Sequence, residues 1–237
     1  MRGMFLDFEA TDKDVANARI TQVAFSIFDL HKQRELFHYS SLVLPEGDFK
    51  IDETAGKITG IDIEQLYEFG IALRSVLEIM YKHLMGVEYL IAHNLHAYDY
   101  PLLQNELKRL GREDFKLPSL IDTRFDVPWP EHIDTRKLSY LGAEFGIVNP
   151  SAHSARHDVD LMSKMFFMFP LDTIIERSSS PMVWVRADVS FDNKDKAREK
   201  RFMWNPTKKI WVKQFKQCDL EKESFDFRTI ILHDYQP

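Results

Sequence analysis

The chain of 237 residues has only one cysteine, Cys218. A single cysteine excludes an intrachain disulfide and a zinc site built from cysteines, so stability must come from packing. The sequence also lacks any apolar run of the ~18 residues needed to cross a bilayer. Asp7 interrupts the apolar start before it could serve as the core of a signal peptide. We therefore expect a cytoplasmic protein that does not engage a membrane.

Apolar residues make up 44% of the chain and aromatic residues 13%, which is enough for a substantial core and excludes a disordered or collagen-like chain. The net charge is −6, but it is unevenly distributed. Between Lys194 and Lys216 there are nine basic and two acidic residues, a balance of +7 that leaves −13 for the remainder. This distribution of charge along the chain is more informative than the net charge, because a local basic segment is typical of nucleic-acid binding.

The hydrophobic pattern predicts three strands first, at residues 4–9, 20–28 and 36–44. Helices and two further strands then alternate: helices at 73–84, 98–110, 137–145 and 154–169, and strands at 87–92 and 120–122. This order predicts an α/β fold, with a mixed five-stranded sheet flanked by helices.

A serine-rich segment at 178–181 is the expected linker to a small C-terminal α+β module. Within that module we expect a strand at 183–190, a helix at 195–200 and a strand pair around 202–204 and 210–212. The predicted domains are therefore residues 1–177 and 182–237.

Asp7 and Glu9 lie two residues apart on a strand that is otherwise mostly apolar. The period of two along a strand places both carboxylates on one face, with Leu6 and Phe8 on the other. Two neighbouring acids in a buried strand repel each other and lose hydration, unless a cation such as Mg²⁺ or Mn²⁺ neutralises them. The pair indicates a metal site, and a solvent-exposed strand end is the alternative.

A second polar group comprises His93, Asn94, Tyr98 and Asp99, where a predicted strand ends and a helix begins. Ligands bind at this end of the strands in open α/β sheets. Asp99, in the first helical turn, is placed to point back to the sheet edge. The alternative is helix capping, which applies more readily to Asn94 than to Asp99.

A third group contains His153 and Asp158, five residues apart at the start of a predicted helix. Five helical positions rotate by ~500°, so the two side chains do not share a face if both residues are helical. If Asp158 is on the helix, His153 must lie in the loop that enters it. A histidine in that place can take a proton from water near neutral pH. A surface histidine pair, His153 and His157, is the alternative.

The order and spacing of these three groups resemble the DnaQ-like 3′–5′ exonucleases of the DEDDh subgroup, which have a ribonuclease H-like fold. The family motif Asp-x-Glu-x-Thr matches residues 7–11. The motif built on Asn-x-x-x-Phe-Asp matches residues 94–99, with Tyr98 in place of Phe, and His-x-x-x-x-Asp matches residues 153–158. The resemblance covers about residues 1–172.

The resemblance implies two-metal hydrolysis of phosphodiester bonds, with two divalent ions, Mg²⁺ or Mn²⁺, held by four acids. These acids are Asp7, Glu9, Asp99 and Asp158. It also implies that His153 is the general base. The residues expected to contact the terminal nucleotide are Phe8, Thr11, Asn94 and Tyr98.

The implied substrate is DNA with a free 3′ end, single-stranded or frayed, from which nucleoside 5′-monophosphates are released. An exoribonuclease and a hydrolase of short oligonucleotides with the same fold remain alternatives. A nucleic-acid-binding adaptor without catalytic activity is another.

The basic segment of the C-terminal module is expected to bind nucleic acid through its cations. Four of them are the candidates: Arg201, Lys208, Lys209 and Lys213. Trp204 and Trp211 lie among these cations, and one interpretation is that they stack on nucleic-acid bases. A module this small needs large side chains for its core, so we expect the two tryptophans to be core residues.

Overall fold

The structure is a computed structural model that describes residues 1–112, 114–133, 135–233 and 235. The chain divides into two compact units, Met1–Ile174 and Ile175–Pro237. Each unit has its own sheet and its own apolar core. None of the helices in the described residues combines the length and the apolar character that crossing a lipid bilayer requires.

The N-terminal unit is built on a six-stranded mixed sheet. Its strands are β1 (Arg2–Ala10), β2 (Ile20–Asp29), β3 (Arg34–Leu44), β4 (Ile71–Ala72), β5 (Tyr89–Ala92) and β6 (Ser119–Asp122). The order across the sheet is β4-β3-β2-β1-β5-β6, with β1 to β3 antiparallel and β5 and β6 added in parallel. The five predicted strands are confirmed, and the sixth, β4, is a two-residue edge strand parallel to the end of β3.

Seven helices of the described residues belong to this unit, and an eighth, α8, crosses the division between the two units. They are α1 (Glu53–Thr59), α2 (Ile63–Phe69), α3 (Leu73–Leu84), α4 (Asp99–Arg109), α5 (Thr123–Asp126), α6 (Leu138–Glu144), α7 (Ala155–Phe166) and α8 (Leu171–Ser179). Helices α1 and α2 lie between β3 and β4, in a segment for which no element was predicted, and of their residues only Leu66 is buried. The signal that could have found α2 is the capping box formed by Asp62 and Gln65.

The central strand β1 sends alternate side chains into two separate cores. Leu6 and Phe8 belong to the core that α3 and α4 cover, whereas Phe5 belongs to the core that contains the apolar face of α7. Because side chains alternate along a strand, Asp7 and Glu9 share the face of Phe5. The two acids therefore lie at the carboxyl-terminal end of β1, on the side of the sheet where α7 packs.

The C-terminal unit is built on a four-stranded antiparallel sheet. Its elements are β7 (Met182–Asp188), a 3₁₀ turn (Phe191–Asn193), α9 (Lys194–Glu199), β8 (Met203–Asn205), β9 (Ile210–Lys216), α10 (Gln217–Leu220) and β10 (Arg228–Leu232). The order across the sheet is β10-β7-β9-β8. The strand β10 and the short helix α10 were not predicted.

Two features of this unit differ from expectation. The segment 178–181 is not a free linker, since α8 continues to Ser179 and the Ser180 carbonyl accepts a hydrogen bond from Lys216 Nζ at 3.1 Å. The expected core position of Trp204 is wrong, because its side chain is 48% exposed. The core is instead formed around smaller residues and two phenylalanines: Val185, Ala187, Ala197, Phe202 and Phe215.

Candidate active site

Three carboxylates from distant parts of the chain meet at the end of β1. One oxygen from each of Asp7, Glu9 and Asp158 lies within 4.8 Å of the other two. Asp99 is close enough for its charge to raise the pKa of Asp7 and of Glu9. The structure therefore brings together the four acids that the sequence singled out.

The position of Asp158 follows from the way α7 begins against β2. Gln22 stands opposite Glu9 in the register of β1 and β2. The Gln22 Oε1 atom accepts a hydrogen bond from the backbone N–H of Ala155 at 2.9 Å, which fixes the first turn of α7 beside β1. Asp158 lies in that first turn, so its carboxylate reaches Glu9.

Asp99 is the first residue of α4 and is only 3% exposed. Its Oδ1 atom accepts a hydrogen bond from the backbone N–H of Phe8 at 3.3 Å, which ties the start of α4 to β1. Among the described residues, no side chain caps α4. The Asn94 side chain instead accepts a hydrogen bond from Arg124 at 2.9 Å. The capping alternative does not account for either residue.

Asp158 is held by two donors from the loop before α7. Asn149 Nδ2 donates to Oδ1 at 2.6 Å, and the backbone N–H of His153 donates to Oδ2 at 3.1 Å. His153 lies in that loop, as expected, and its backbone φ of 62° is in the left-handed region. Such a conformation costs of order 1 kcal/mol or more for a residue other than glycine and is concentrated at functional sites. Asn149 was missed, because nothing in its local sequence marks it as a partner of Asp158.

Burial and mutual repulsion make this cluster unfavourable when every acid is charged. Burial, followed by the charges of Asp99, Glu9 and Asp158, raises the pKa of Asp7 well above its usual range. Burial raises the pKa of Glu9 to about 8 and that of Asp99 to about 7, although the Phe8 N–H opposes the latter shift. A divalent cation would remove this penalty, because it favours the charged form of every carboxylate around it.

The donor set fits a hard divalent metal. Carboxylate oxygens are the ligands that Mg²⁺ and Mn²⁺ prefer. Among the described residues, no donor forms a hydrogen bond to the carboxylate of Asp7 or of Glu9, so their lone pairs are available for a metal.

Three of the four acids, Asp7, Glu9 and Asp158, line a cavity of about 630 Å³ that four cations also line. Its cations are Lys13, Arg124, Arg136 and Lys137. Burial, and then the charge of Arg124, lowers the pKa of Arg136. Neither arginine was singled out from the sequence, because both lie outside the three motifs and reach the cavity only through the tertiary fold.

His93 also lines this cavity, where it is held between two partners. Burial lowers the pKa of His93 to about 4, so the ring is neutral near pH 7. Its Nε2 atom lies 2.7 Å from the backbone oxygen of Arg136, which can only accept, and therefore carries the proton. The Nδ1 atom therefore carries no proton, and it lies 2.9 Å from the Thr123 hydroxyl oxygen. His93 therefore positions the Arg136 segment.

The residues expected to contact a nucleotide are not equally placed. Phe8, Asn94 and Tyr98 line the cavity, although the Phe8 ring is buried in the core. The Tyr98 hydroxyl donates to the Asp12 carbonyl at 2.7 Å. The structure does not bring Thr11 to the cavity lining, because its hydroxyl is buried and accepts a hydrogen bond from the backbone of Arg19 at 2.9 Å.

The four cations proposed for the C-terminal module occupy different places within that unit. Lys209 lines a separate cavity, and Lys208 Nζ lies 4.0 Å from the centroid of the Tyr235 ring. Lys213 Nζ donates to the Lys200 carbonyl at 3.1 Å. Arg201 is exposed and has a positive φ of 58°.

Two protein-family models match the chain. A model described as Exonuclease (RNase_T) matches residues 4–166, and a model described as a domain of unknown function (DUF8626) matches residues 183–230. Comparison with the curated proteins gave no match.

The structure is similar to solved structures of exonuclease I. For E. coli exonuclease I in complex with a dA16 oligonucleotide, the TM-score is 0.67 at 15% identity, over 91% of this chain and 63% of that chain. For the zinc-bound E. coli complex with single-stranded DNA, it is 0.61 at 20% identity, over 69% and 39%. For a product-bound exonuclease I, it is 0.63 at 16% identity, over 79% and 51%. The chain thus spans between 39% and 63% of the length of these chains, and the likeness concerns the fold.

Proposed function

Because a family model matches more than half of the chain, the protein belongs to the exonuclease family, with a DnaQ-like, ribonuclease H-like fold, and we propose that it is a metal-dependent 3′–5′ exonuclease. The observation that carries the proposal is the convergence of oxygens from Asp7, Glu9 and Asp158 within 4.8 Å, with Asp99 beside them. The proposed substrate is DNA with a single-stranded or frayed 3′ end. Its support is the likeness to exonuclease I structures that contain single-stranded DNA.

Asp7, Glu9, Asp99 and Asp158 would hold two divalent ions, Mg²⁺ or Mn²⁺. When bound, the ions supply an activated water and stabilise the charge that develops on the leaving 3′ oxygen. The protein contributes the fixed geometry of the ligands. Asn149 and the His153 backbone hold both oxygens of Asp158, and the Phe8 N–H holds one oxygen of Asp99.

His153 is the proposed general base. It lines the cavity beside the acids, and its ring is exposed. A histidine can take a proton from the attacking water near neutral pH. The neighbouring His157 is the weaker candidate, because its Nδ1 atom is 3.2 Å from the Ser154 hydroxyl and it does not line the cavity.

Arg124 and Arg136 are proposed to bind the phosphates of the substrate strand. They share the cavity with the acids, and an arginine can donate two parallel hydrogen bonds to a phosphate. Arg136 NH1 donates to the Arg124 carbonyl at 3.2 Å, and His93 holds the Arg136 carbonyl, so this wall of the cavity is a connected unit.

We assign the hydrolysis to residues 1–177 and a nucleic-acid-binding role to residues 182–237. The support for the second assignment is the basic segment with its balance of +7. Residues 234, 236 and 237 of this range lie outside the described residues.

The test is digestion of an oligonucleotide labelled at its 3′ end, in Mg²⁺ or Mn²⁺ and in excess chelator. We expect release of labelled mononucleotide that chelator abolishes. Asp7→Ala should lower kcat by roughly 10³-fold, since metal stabilisation of the transition state is worth several kcal/mol. Asp160→Ala is the matched control, because Asp160 lies on the same helix as Asp158 but forms an exposed ion pair with Arg156 at 3.0 Å.

Matched single- and double-stranded DNA and RNA, together with a series of shorter oligomers, separate the substrate alternatives. Faster digestion of RNA, or of the shortest oligomers, would replace the DNA assignment while keeping the exonuclease. Full activity of Asp7→Ala, or activity in excess chelator, would contradict the metal-dependent mechanism. Binding without hydrolysis in any metal would identify the protein as an adaptor.

A further inference from the structure

The C-terminal unit contains a cavity of about 500 Å³ that the proposed active site does not use. Its lining residues come from β7 and the turn after it, α9 and the strands β8 and β9 with their connection. Small-molecule and cofactor sites usually occupy about 300–1,000 Å³. The cavity therefore has room for one flat ring system with its substituents.

Three aromatic side chains line this cavity: Phe191, Trp204 and Trp211. Trp204 stands opposite Trp211 in the register of β8 and β9, and their ring centroids are 5.5 Å apart at an angle of 54°. Ala187, a core residue, stands opposite Trp211 in the register of β7 and β9. Because opposite residues share a face, the tryptophan pair continues the core face of the sheet to its β8 edge.

Within the described residues, two aromatic side chains at that edge of the core face stay exposed. Trp204 is 48% exposed and Phe191 is 80% exposed. Large aromatic rings left open at one site mark a place where a ligand with its own flat face can bind.

The other prominent side chains of the cavity are cationic: Arg186, Lys194, Arg198 and Lys209. Lys194 Nζ lies 4.1 Å from the centroid of the Phe191 ring, and the guanidinium carbon of Arg198 lies 6.0 Å from that of Trp211. Among the described residues, no acid lines the cavity. The nearby pairs of Arg186 with Asp188 at 3.3 Å and of Arg198 with Asp195 at 3.4 Å are largely exposed, and such pairs are weak. The cavity is therefore suited to an anionic ligand.

We propose that this cavity is a second nucleic-acid site, which stacks one unpaired base against Trp204 and Phe191 while Lys194 and Lys209 bind the flanking phosphates. Aromatic faces combined with cations along the backbone are the means by which proteins hold single strands. A base in a duplex is covered by its neighbours, and an acidic peptide offers no flat ring for the aromatic side chains. The choice of ligand class rests on the proposed exonuclease function.

The test measures binding by the full chain carrying Asp7→Ala, so that hydrolysis does not consume the probe. A fluorescently labelled 12-mer of deoxythymidine is titrated and followed by anisotropy. Trp204→Ala should weaken binding about five- to 150-fold, which is the range for loss of one stacked base. Met203→Ala is the matched control: Met203 is adjacent on β8 and 60% exposed, but it does not line the cavity. Phe191→Ala is the second variant, because an exposed turn residue can be truncated without loss of the fold.

A 12-mer of the same charge that lacks bases isolates the stacking contribution. We expect it to bind more weakly than the base-bearing oligomer, and Trp204→Ala to have no further effect on it. The proposal is overturned if Trp204→Ala and Phe191→Ala both bind the base-bearing oligomer as Met203→Ala does. It is equally overturned if the abasic oligomer binds as tightly, or if an acidic peptide of equal charge competes as well as the oligomer.

The outcome is independent of the exonuclease test. Hydrolysis by the unmodified chain together with normal binding by both aromatic variants would contradict only the proposal of a second binding site. Loss of binding in those variants, together with no hydrolysis of DNA or RNA by the unmodified chain, would contradict only the proposed exonuclease activity. A ribouridine 12-mer in place of the DNA probe then tells whether the site distinguishes the sugar.

Discussion

The two units of this molecule differ in where their charged side chains lie. The N-terminal unit gathers acids from three segments of the chain and buries them, so that the pKa of Glu9 rises to about 8. The C-terminal unit places cations such as the half-buried Lys194 and the exposed Arg198 beside aromatic rings. Burial and mutual repulsion oppose the fully charged state of the acidic cluster, a penalty that bound cations would remove. The net charge of −6 is therefore the sum of two different arrangements, a buried acidic cluster in one unit and cations beside aromatic rings in the other.

The largest difference between the two units is expected in kcat when His153 is replaced. Replacing His153 with Ala should lower kcat by about 10²–10⁴-fold, because a general base contributes that much. Affinity for single-stranded DNA should stay the same, since binding through the C-terminal unit does not involve this ring. The measurement is steady-state digestion of a 3′-labelled oligonucleotide, with His157→Ala as the matched control. A change confined to KM would reassign His153 to substrate binding.

A second effect concerns stability without metal. The pKa of Glu9 is about 8 in the folded protein and 4.5 ordinarily, so between these values the folded state holds a proton that the unfolded state has lost. The free energy of unfolding therefore falls as the pH rises from about 4.5 to 8. Glu9→Gln removes the contribution of Glu9 to this dependence and should stabilise the metal-free chain at pH 8 by a few kcal/mol, whereas the contributions of Asp7 and Asp99 remain.

Urea unfolding in chelator at pH 5 and pH 8 measures this stability effect. Glu9→Gln must be compared with the unmodified chain at each pH, because His93, with a pKa of about 4, acts in the opposite sense below pH 6.5. Glu68→Gln, an exposed residue of α2, is the control and should change nothing. Mg²⁺ or Mn²⁺ should restore stability to the unmodified chain at pH 8. An equal stability of the Glu9→Gln and unmodified chains at both pH values would contradict the repulsion within the acidic cluster.

The smallest effect is expected at the cations of the C-terminal unit. Lys209→Ala should weaken binding of single-stranded DNA a few-fold and lower the slope of log affinity against log salt by about 0.7, the value for one phosphate contact on a single strand. Titrations at several salt concentrations measure both quantities. Lys32→Ala is the control, because Lys32 lies at an exposed turn between β2 and β3 of the other unit. Equal slopes for both variants would remove Lys209 from the interface.

The acids and their common face could be predicted from the sequence, because their spacing is local to one strand or to one helix start. Asn149, Arg124 and Arg136 could not, since each reaches the site through tertiary contacts that no short-range pattern records. The roles of the site residues, the identity of the ions and the cytoplasmic location stay predictions.

The C-terminal unit shows a different limit of sequence reasoning. The expectation that a small module needs large side chains holds for Trp211, which packs partly buried against the core, and is wrong for Trp204. Phe202 and Phe215 form the core, and Phe225 and Phe227 pack against it, which leaves Trp204 for the surface. Phe225 and Phe227 lie outside the predicted strands of this unit, so the predicted pattern did not indicate that they would pack against the core.

The chain order of the acidic cluster has a consequence during translation. Asp158 follows Asp7 by 151 positions and lies on the helix that packs over the β1 acids. A nascent chain therefore carries an incomplete set of carboxylates until α7 has left the ribosome, and domains fold as units. If Asp158 holds a metal ion as proposed, a chain that ends before this helix lacks one of the ligands, and we expect it to be inactive as a nuclease.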